Sequence, residues 1–476
     1  MPGKGERKMY NISTNMMLMR LMESWATTDN PFNSTEEILE WVAEKNKITK
    51  VGIEKRNYDY TGENWHYDSK SGDIRNKNGT FFRIKGLQKV EDGRVIQEQP
   101  IIIQNEIGYL GIIGKEMDGV LYFLMQAKIE PGNVNKIQIS PTIQATKSNF
   151  MQAHGGKVPA YLEYFSNKKN YEIIVDQIQS EQSSRFLGKR NRNIIIVVDD
   201  RIEVLESHKW MTLGQIKQLM SYDNLVNMDT RTVVSCIPFS LRDISYKELA
   251  HIRSLFTEES FFNSMFFGNS GGDINKIYQY MNEIKMLDKS EIELVDLHTL
   301  KNWKFNEQGE FCSYKGEFKI VYCNIEIEGR EVCRWEQPLL EAEGQSTFGL
   351  IYCIENSIRK YLVQTKSEVG CFDKIEIGPS VQLGPHEKIN NLIDTLFTYN
   401  LSHGKGIEFS GLFSEEGGRF YQEQNRNIIM QIKKGDLPDP LPDGYFWADF
   451  QTLNILVQFN NCLNIQLRNL LSILNI

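Results

Sequence analysis

Residues 123–144 read "FLMQAKIEPGNVNKIQISPTIQ", and residues 361–382 read "YLVQTKSEVGCFDKIEIGPSVQ". Gln126 and Gln364, Lys128 and Lys366, Glu130 and Glu368, Gly132 and Gly370, Pro141 and Pro379, and Gln144 and Gln382 all share one offset, 238 (364 − 126). A period this long marks a copied domain, not a solenoid unit. Within each copy the alternation of "KIQIS" and "KIEIG" suits a half-buried strand. The turns "EPGNVN" and "EVGCFD" lead into it from the strand-like runs "GVLYFLMQAKI" and "RKYLVQTKS", so each copy predicts a β-hairpin.

The match continues outward. Upstream, "EQP" at Glu98–Pro100 recurs at Glu336–Pro338, and Trp65 answers to Trp303. Downstream, "SEQSSRFLGKRNRNIII" (180–196) returns as "SEEGGRFYQEQNRNIIM" (414–430), and Trp210, Asn224, Asn227, Arg231 and Ser235 map to Trp447, Asn461, Asn464, Arg468 and Ser472. Each copy opens with a helix. "NSTEEILEWVAEKN" carries a capping box, Ser34 with Glu37, and "GGDINKIYQYMNEIKML" predicts Asp273 as N-cap. Each closes with apolar residues at three- and four-residue steps. The glycines of "FFGNSGGD" mark the boundary. The expectation is therefore an α+β chain built by tandem duplication, with lobes 1–268 and 269–476. About thirty residues before the boundary have no clear counterpart and read as an extra joining helix.

Bulk properties exclude several classes. The 476 residues, 41% hydrophobic, can fill more than one core. A net charge of −8 argues against a nucleic-acid coat or a polybasic membrane binder. The seven cysteines show no CxxC pairing and read as thiols in a reducing compartment. The first residues lack the apolar core of a signal peptide, and no run of about 18 apolar residues could span a membrane, so the cytoplasm is expected. No GxGxxG, P-loop, HExxH or GxSxG occurs. The histidines are scattered singly, so no metal or other cofactor is expected.

Two sets of residues invite chemistry. The repeated cations Lys128, Arg185, Arg192 and Arg231 recur as Lys366, Arg419, Arg426 and Arg468. One reading is structural, with buried polar side chains bound to backbone carbonyls. The other is a phosphate pocket, since arginine presents a fork of donors and the glycine turns expose amides. The second set is found in the first copy only: Lys147, Asn149, His154 before Gly155 and Gly156, and Tyr161. If one lobe kept chemistry, its catalysts belong among them. His154 suits a general base or acid, or is a surface loop histidine; Tyr161 is equally a core aromatic.

The strings "FLMQAKIEPGNVNKIQISPTIQATKSNFMQAHGGKVPAYLEYF", "SEQSSRFLGKRNRNIIIV" and "WMTLGQIKQLMSYDNLVNMDTRTVVSCI" resemble the NDP-hexose 2,3-dehydratase family. The resemblance runs from about Trp41 to the C-terminus. It implies a Nudix-like fold for each lobe, although the RExxEE metal-binding helix of Nudix hydrolases is missing; "GREVCRWEQP" lacks its second acidic pair. It implies removal of water across C2 and C3 of an NDP-4-keto-6-deoxyhexose, dTDP-linked, in deoxysugar biosynthesis. A homodimer and a downstream 3-ketoreductase partner are implied as well.

On residue type and lobe asymmetry, His154 is expected as base or acid, Lys128 as the group polarising O4 or holding a phosphate, and Tyr161 as a further acid or base. Arg185, Arg192 and Lys147 would bind diphosphate. Gln126, Asn149 and Asn191 would hold sugar or base edges. The second lobe would bind a nucleotide sugar through Lys366, Arg419 and Arg426 without chemistry. A non-catalytic nucleotide-sugar binder and a Nudix-type pyrophosphohydrolase are the alternatives.

Overall fold

The computed structural model describes residues 14–57, 64–79, 81–147, 158–166, 171–241, 244–314, 316–328, 332–389 and 391–476. The chain is a mixed α+β protein with four sheets among these residues. Two are seven-stranded and share one order. In the first half, Glu172–Ser180, Arg190–Val197, Gly108–Met117, Val120–Ile129 and His208–Thr212 lie side by side. In the second half the sequence is Ile407–Ser414, Gln424–Gln431, Thr347–Glu355, Ile358–Lys366 and Tyr445–Asp449. The second strand is parallel to the third in both. The hairpins expected at the repeated stretches form: Ile129 pairs with Ile137 across the turn, and Lys366 with Glu376.

Helices cover these sheets. Thr35–Ile48 starts from the predicted capping box on Ser34 and Glu37. In the second half the helix is Ser270–Leu287, capped at Asn269, so Asp273 sits in the first turn and is not the N-cap. The start is set earlier because the Asp449 carboxylate accepts the Asn269 amide at 2.8 Å.

Part of the segment read as lacking a counterpart has one. Ser264, on the helix Glu259–Phe266, donates to the Arg359 carbonyl and accepts the Phe450 amide at 2.8 Å. Ser24, on the helix Thr14–Ala26, donates to the Leu121 carbonyl and accepts the Leu213 amide at 2.9 Å. The correspondence was hidden because only the hydroxyl is kept while the neighbouring apolar residues differ.

The remaining two sheets tie the halves together by exchanging strands. Val51–Arg56 pairs with Phe318–Ile327 of the second half, Val51 opposite Ile327. Glu291–Val295 pairs with Arg83–Glu91 of the first, Glu291 opposite Val90.

The repeated turns join this exchange. The Gly132 amide donates to the Gly417 carbonyl at 2.6 Å, and the Gly370 amide to the Ser183 carbonyl at 2.9 Å. These amides are therefore spent on the opposite half, not offered to a phosphate. A Cβ at Gly132 would stand 1.6 Å from the Phe420 carbonyl oxygen, which is backbone and cannot swing away. Gly132→Ala is expected to cost about 3 kcal/mol through overpacking, read as a lowered urea midpoint.

Candidate active site

A cavity of about 350 Å³ opens between the halves. Its floor is the first half's sheet. Lys128 comes from the end of Val120–Ile129 and Glu130 from the residue just after it, Gln144 from Ile143–Ala145, and Asn191 from Arg190–Val197. Glu181 and Lys189 flank the loop between the strands Glu172–Ser180 and Arg190–Val197, and Asp229 comes from the helix Met228–Ser235. The second half supplies Trp335, Glu416 and Arg419.

A polar frame holds the floor. Gln144 donates to Glu130 at 3.0 Å and accepts from Asn227 at 3.1 Å, while Asn191 donates to Glu181 at 2.8 Å. The frame is repeated in the second half. Gln382 donates to Glu368 at 2.8 Å, Asn464 to Gln382 at 3.0 Å, and Asn425 to Glu415 at 2.7 Å. Most of the repeated polar residues thus form a scaffold.

The differences between the two halves are charged. By the offsets of the flanking matches, Lys189 corresponds to Glu423, Glu416 to Gln182, and Asp229 to Gln466. The first cavity therefore gathers five carboxyl groups, Glu130, Glu181, Asp229, Glu336 and Glu416, against Lys128, Lys189 and Arg419. Burial and neighbouring like charge both disfavour the ionised form of a carboxyl group. Burial, and next the Glu181 charge, hold the Asp229 carboxyl well above the ordinary range. Burial raises Glu181, against the pull of Lys189. Burial and the Glu130 charge push Glu416 up to about 8. The Lys189 ammonium is lowered by burial and donates to the Glu106 carbonyl at 2.5 Å.

These shifts carry a sign for stability. A carboxyl with a folded value of about 8 and an ordinary one of 4.5 binds its proton more tightly when folded. Its stabilisation is present below the ordinary value and is lost as pH rises through about 8. Glu416→Gln is expected to flatten this loss, measured as urea midpoints at about pH 5 and about pH 8.

The expected site residues divide. Lys128 and Asn191 line the cavity. Lys128 donates to the Gln144 carbonyl at 3.1 Å and stands 3.7 Å from Glu130. Gln126 is half-buried on the same strand, opposite Ser140 and His208, outside the lining. Lys147 is exposed and also outside it. Arg192 makes a two-point ion pair with Asp176 at 2.6 Å, and Arg426 donates to Ser410 at 3.3 Å. Asn149 and His154 lie outside the described residues. The Tyr161 hydroxyl is engaged with backbone, donating to the Glu203 carbonyl at 2.9 Å and accepting the Leu205 amide at 3.0 Å, so its ring is a packing group away from the cavity.

Two arginines change places. Arg419, expected to serve the second lobe, reaches over Phe82 at 4.3 Å to Gln104 at 3.1 Å and lines the first-half cavity. Arg185, expected in the first lobe, lies over Phe318 at 4.2 Å and 3.6 Å from Glu317 of the second half. The loops bearing them dock on the opposite half, like the exchanged strands. Lys366 stays in its own half, where its charge acts on Glu368. Among the described residues no group of three or more His, Cys, Asp or Glu side chains is placed to hold a metal ion. No helix among them is long and apolar enough to cross a membrane.

The family model described as NDP-hexose 2,3-dehydratase matches residues 35–237 and 274–474. A dTDP-4-dehydro-6-deoxy-alpha-D-glucopyranose 2,3-dehydratase of Saccharopolyspora spinosa is 34% identical, covering 96% of this chain and 94% of its own. The protein of the same name from Amycolatopsis orientalis is 32% identical over 96% and 93%. A solved structure titled as an ADP compounds hydrolase is 14% identical over 29% of this chain and 74% of its own, with a TM-score of 0.17. With matches to both halves of the chain, this protein belongs to the NDP-hexose 2,3-dehydratase family.

Proposed function

We infer that this chain removes water across C2 and C3 of an NDP-4-keto-6-deoxyhexose, giving a 3,4-diketo sugar nucleotide for deoxysugar biosynthesis. It is a hydro-lyase. The observation that carries the reading is the cavity that Lys128 shares with a set of carboxyl groups, two of them, Asp229 and Glu416, raised by burial well above the ordinary carboxylate range. The relatives' names make the dTDP-linked sugar the proposed substrate.

The chemistry fits these groups. The 4-keto group acidifies the C3 proton, and a base takes it. Glu130, which accepts from Gln144 beside Lys128, is positioned for this step. The Lys128 ammonium stabilises the charge developing on O4. Hydroxide leaves poorly, so C2 loses its hydroxyl only with a proton supplied. Arg419, which lines the cavity, binds the diphosphate there. His154 as base or acid remains a proposal from sequence, tested by the turnover of His154→Ala.

The wider architecture is proposed on the same footing. Each half is a Nudix-like unit from one tandem duplication, supported by the matching strand orders and the repeated frame. The second unit then begins before the helix Glu259–Phe266, ahead of residue 269. The second half binds a nucleotide sugar without turnover through Lys366 and Arg185, and calorimetry finding one site per chain would count against it. The chain acts as a cytoplasmic homodimer. Its reactive diketone product calls for a ketoreductase downstream.

One experiment tests the function. The protein is incubated with an NDP-4-keto-6-deoxyglucose, with and without EDTA, and followed by mass spectrometry. Loss of one water, indifferent to chelator, is expected. Unchanged substrate would leave only a binder, and a nucleoside monophosphate product would mean pyrophosphate cleavage.

A further inference from the structure

We propose that Asp229 is the acid that protonates the departing C2 hydroxyl. This rests on the dehydratase reading and adds to it the identity of the proton donor.

Three observations converge on this side chain. Asp229 is 2% exposed and lines the cavity, yet its Oδ1 has no hydrogen-bond partner among the described residues. A buried carboxyl kept for structure would be hydrogen-bonded, because leaving such an atom bare costs about 1–3 kcal/mol. Its position is also rigid. It sits in the first turn of Met228–Ser235, whose cap Asn227 accepts the Thr230 amide at 2.8 Å and donates to Gln144 at 3.1 Å. The helix is thus stapled to the frame that carries Lys128.

The third observation is the internal comparison. The second half repeats the cap as Asn464 and the frame as Gln382 with Glu368, but places Gln466 where Asp229 stands. An amide fills that position in an otherwise equivalent scaffold, so the fold does not require the acid. Glu181 and Glu130, which do belong to the repeated scaffold, each accept a hydrogen bond from it. Among the five carboxyls that line the cavity, Asp229 and Glu416 are the two without a carboxyl counterpart, since Glu336 answers to Glu98. Glu416 already accepts the Gly418 amide at 3.0 Å. Burial, and next the charges of Glu181 and Glu130, hold the Asp229 carboxyl well above the ordinary carboxylate range, which favours the protonated form an acid needs.

The step balances as follows. The base removes the C3 proton, and the C–H electron pair becomes an enolate on O4. The pair returns to form C2=C3 as the C2–O bond breaks. The Asp229 O–H gives its proton to the leaving oxygen, and water departs. In the tautomerisation that follows, C2 receives the proton held by the base, and the O3 hydroxyl returns one to Asp229.

An acid acting only on the leaving group gives a readout that a structural residue would not. In Asp229→Asn, water elimination is expected to fall about 10²–10⁴-fold. Exchange of the C3 hydrogen with D2O, which needs only base and enolate stabilisation, should continue within about threefold of wild type. A 2-deoxy-2-fluoro analogue of the 4-keto sugar nucleotide loses fluoride, which departs without a proton. Its elimination by Asp229→Asn should stay within about tenfold of wild type. Asp229→Gln, matching Gln466, is the second variant and should fold and behave alike. Equal losses of water and fluoride elimination, abolished C3 exchange, or undiminished water elimination would each overturn the assignment. If the wild-type protein itself leaves the 4-keto sugar unchanged, the dehydratase reading fails, and that outcome is separate from any result on Asp229.

Discussion

Arg468→Met is expected to destabilise the whole chain by about 3–5 kcal/mol, the sum of buried acceptors left without their donor. Arg468 is 1% exposed and belongs to the second half, yet its guanidinium reaches the Thr232 hydroxyl and the Ser180 carbonyl of the first. Arg231 makes the reciprocal reach, donating to Ser414 of the second half at 2.7 Å and to Val226 at 2.5 Å. Methionine would fill the volume but leave carbonyls buried without donors, at about 1–3 kcal/mol each. Arg468→Lys keeps a charge and loses the fork, so it should recover only part of the loss. The strands Val51–Arg56 and Glu291–Val295 already cross between the halves, so unfolding in urea should stay a single transition with an earlier midpoint. Separate transitions for the two halves, or an unmoved midpoint, would show that the crossing arginines do not couple them.

That crossing is also the part of the architecture that could not be read from sequence. Periodicity within each copy revealed the hairpin at 123–144 and the capping box at Ser34, because both depend on residues close in the chain. A repeat, however, has the same offset whether a loop docks on its own sheet or on the other copy. Sequence therefore places Arg185 and Arg419 each in its own half, whereas each docks on the opposite one, and the turn amides of Gly132 and Gly370, available to a phosphate on one of the two sequence readings, are contact points between halves. The chemistry left a fainter trace. Repetition of Gln144, Glu130 and Asn191 marks a frame that both halves need. The informative positions are single mismatches inside matched stretches: Lys189 with Glu423, Glu416 with Gln182, and Asp229 with Gln466. Setting "VNMDTRTVVS" against "LNIQLRNLLS" exposes the last of these, but it gains meaning only when helix and sheet bring Asp229 to the cavity. Tyr161 drew notice for lacking a counterpart, and its hydroxyl is bound to backbone.

Lys128→Met should lower kcat about 10²–10³-fold, the usual consequence of removing one preorganised donor from a developing oxyanion. The expectation comes from where the ammonium is held. Lys128 lies on the strand Val120–Ile129, paired on both sides by Ile137–Ser140 and His208–Thr212. Its Nζ is fixed by the Gln144 carbonyl at 3.1 Å and by Glu130 at 3.7 Å. That placement leaves little reorganisation to be done when charge appears on O4. Methionine keeps the stem and removes the donor, so fold and KM should change little while kcat falls. The variant should also lose C3 hydrogen exchange in D2O, because without the cation the enolate itself is not formed. This is the opposite of the outcome expected for Asp229→Asn, where enolate forms and cannot expel hydroxide. Lys366→Met removes the equivalent residue from the half that has Gln466 in place of the acid, and it should leave turnover near wild type. If Lys128→Met exchanges the C3 hydrogen at the wild-type rate, the charge on O4 is met by another donor, and Lys189 and Arg419 become the candidates within the same cavity.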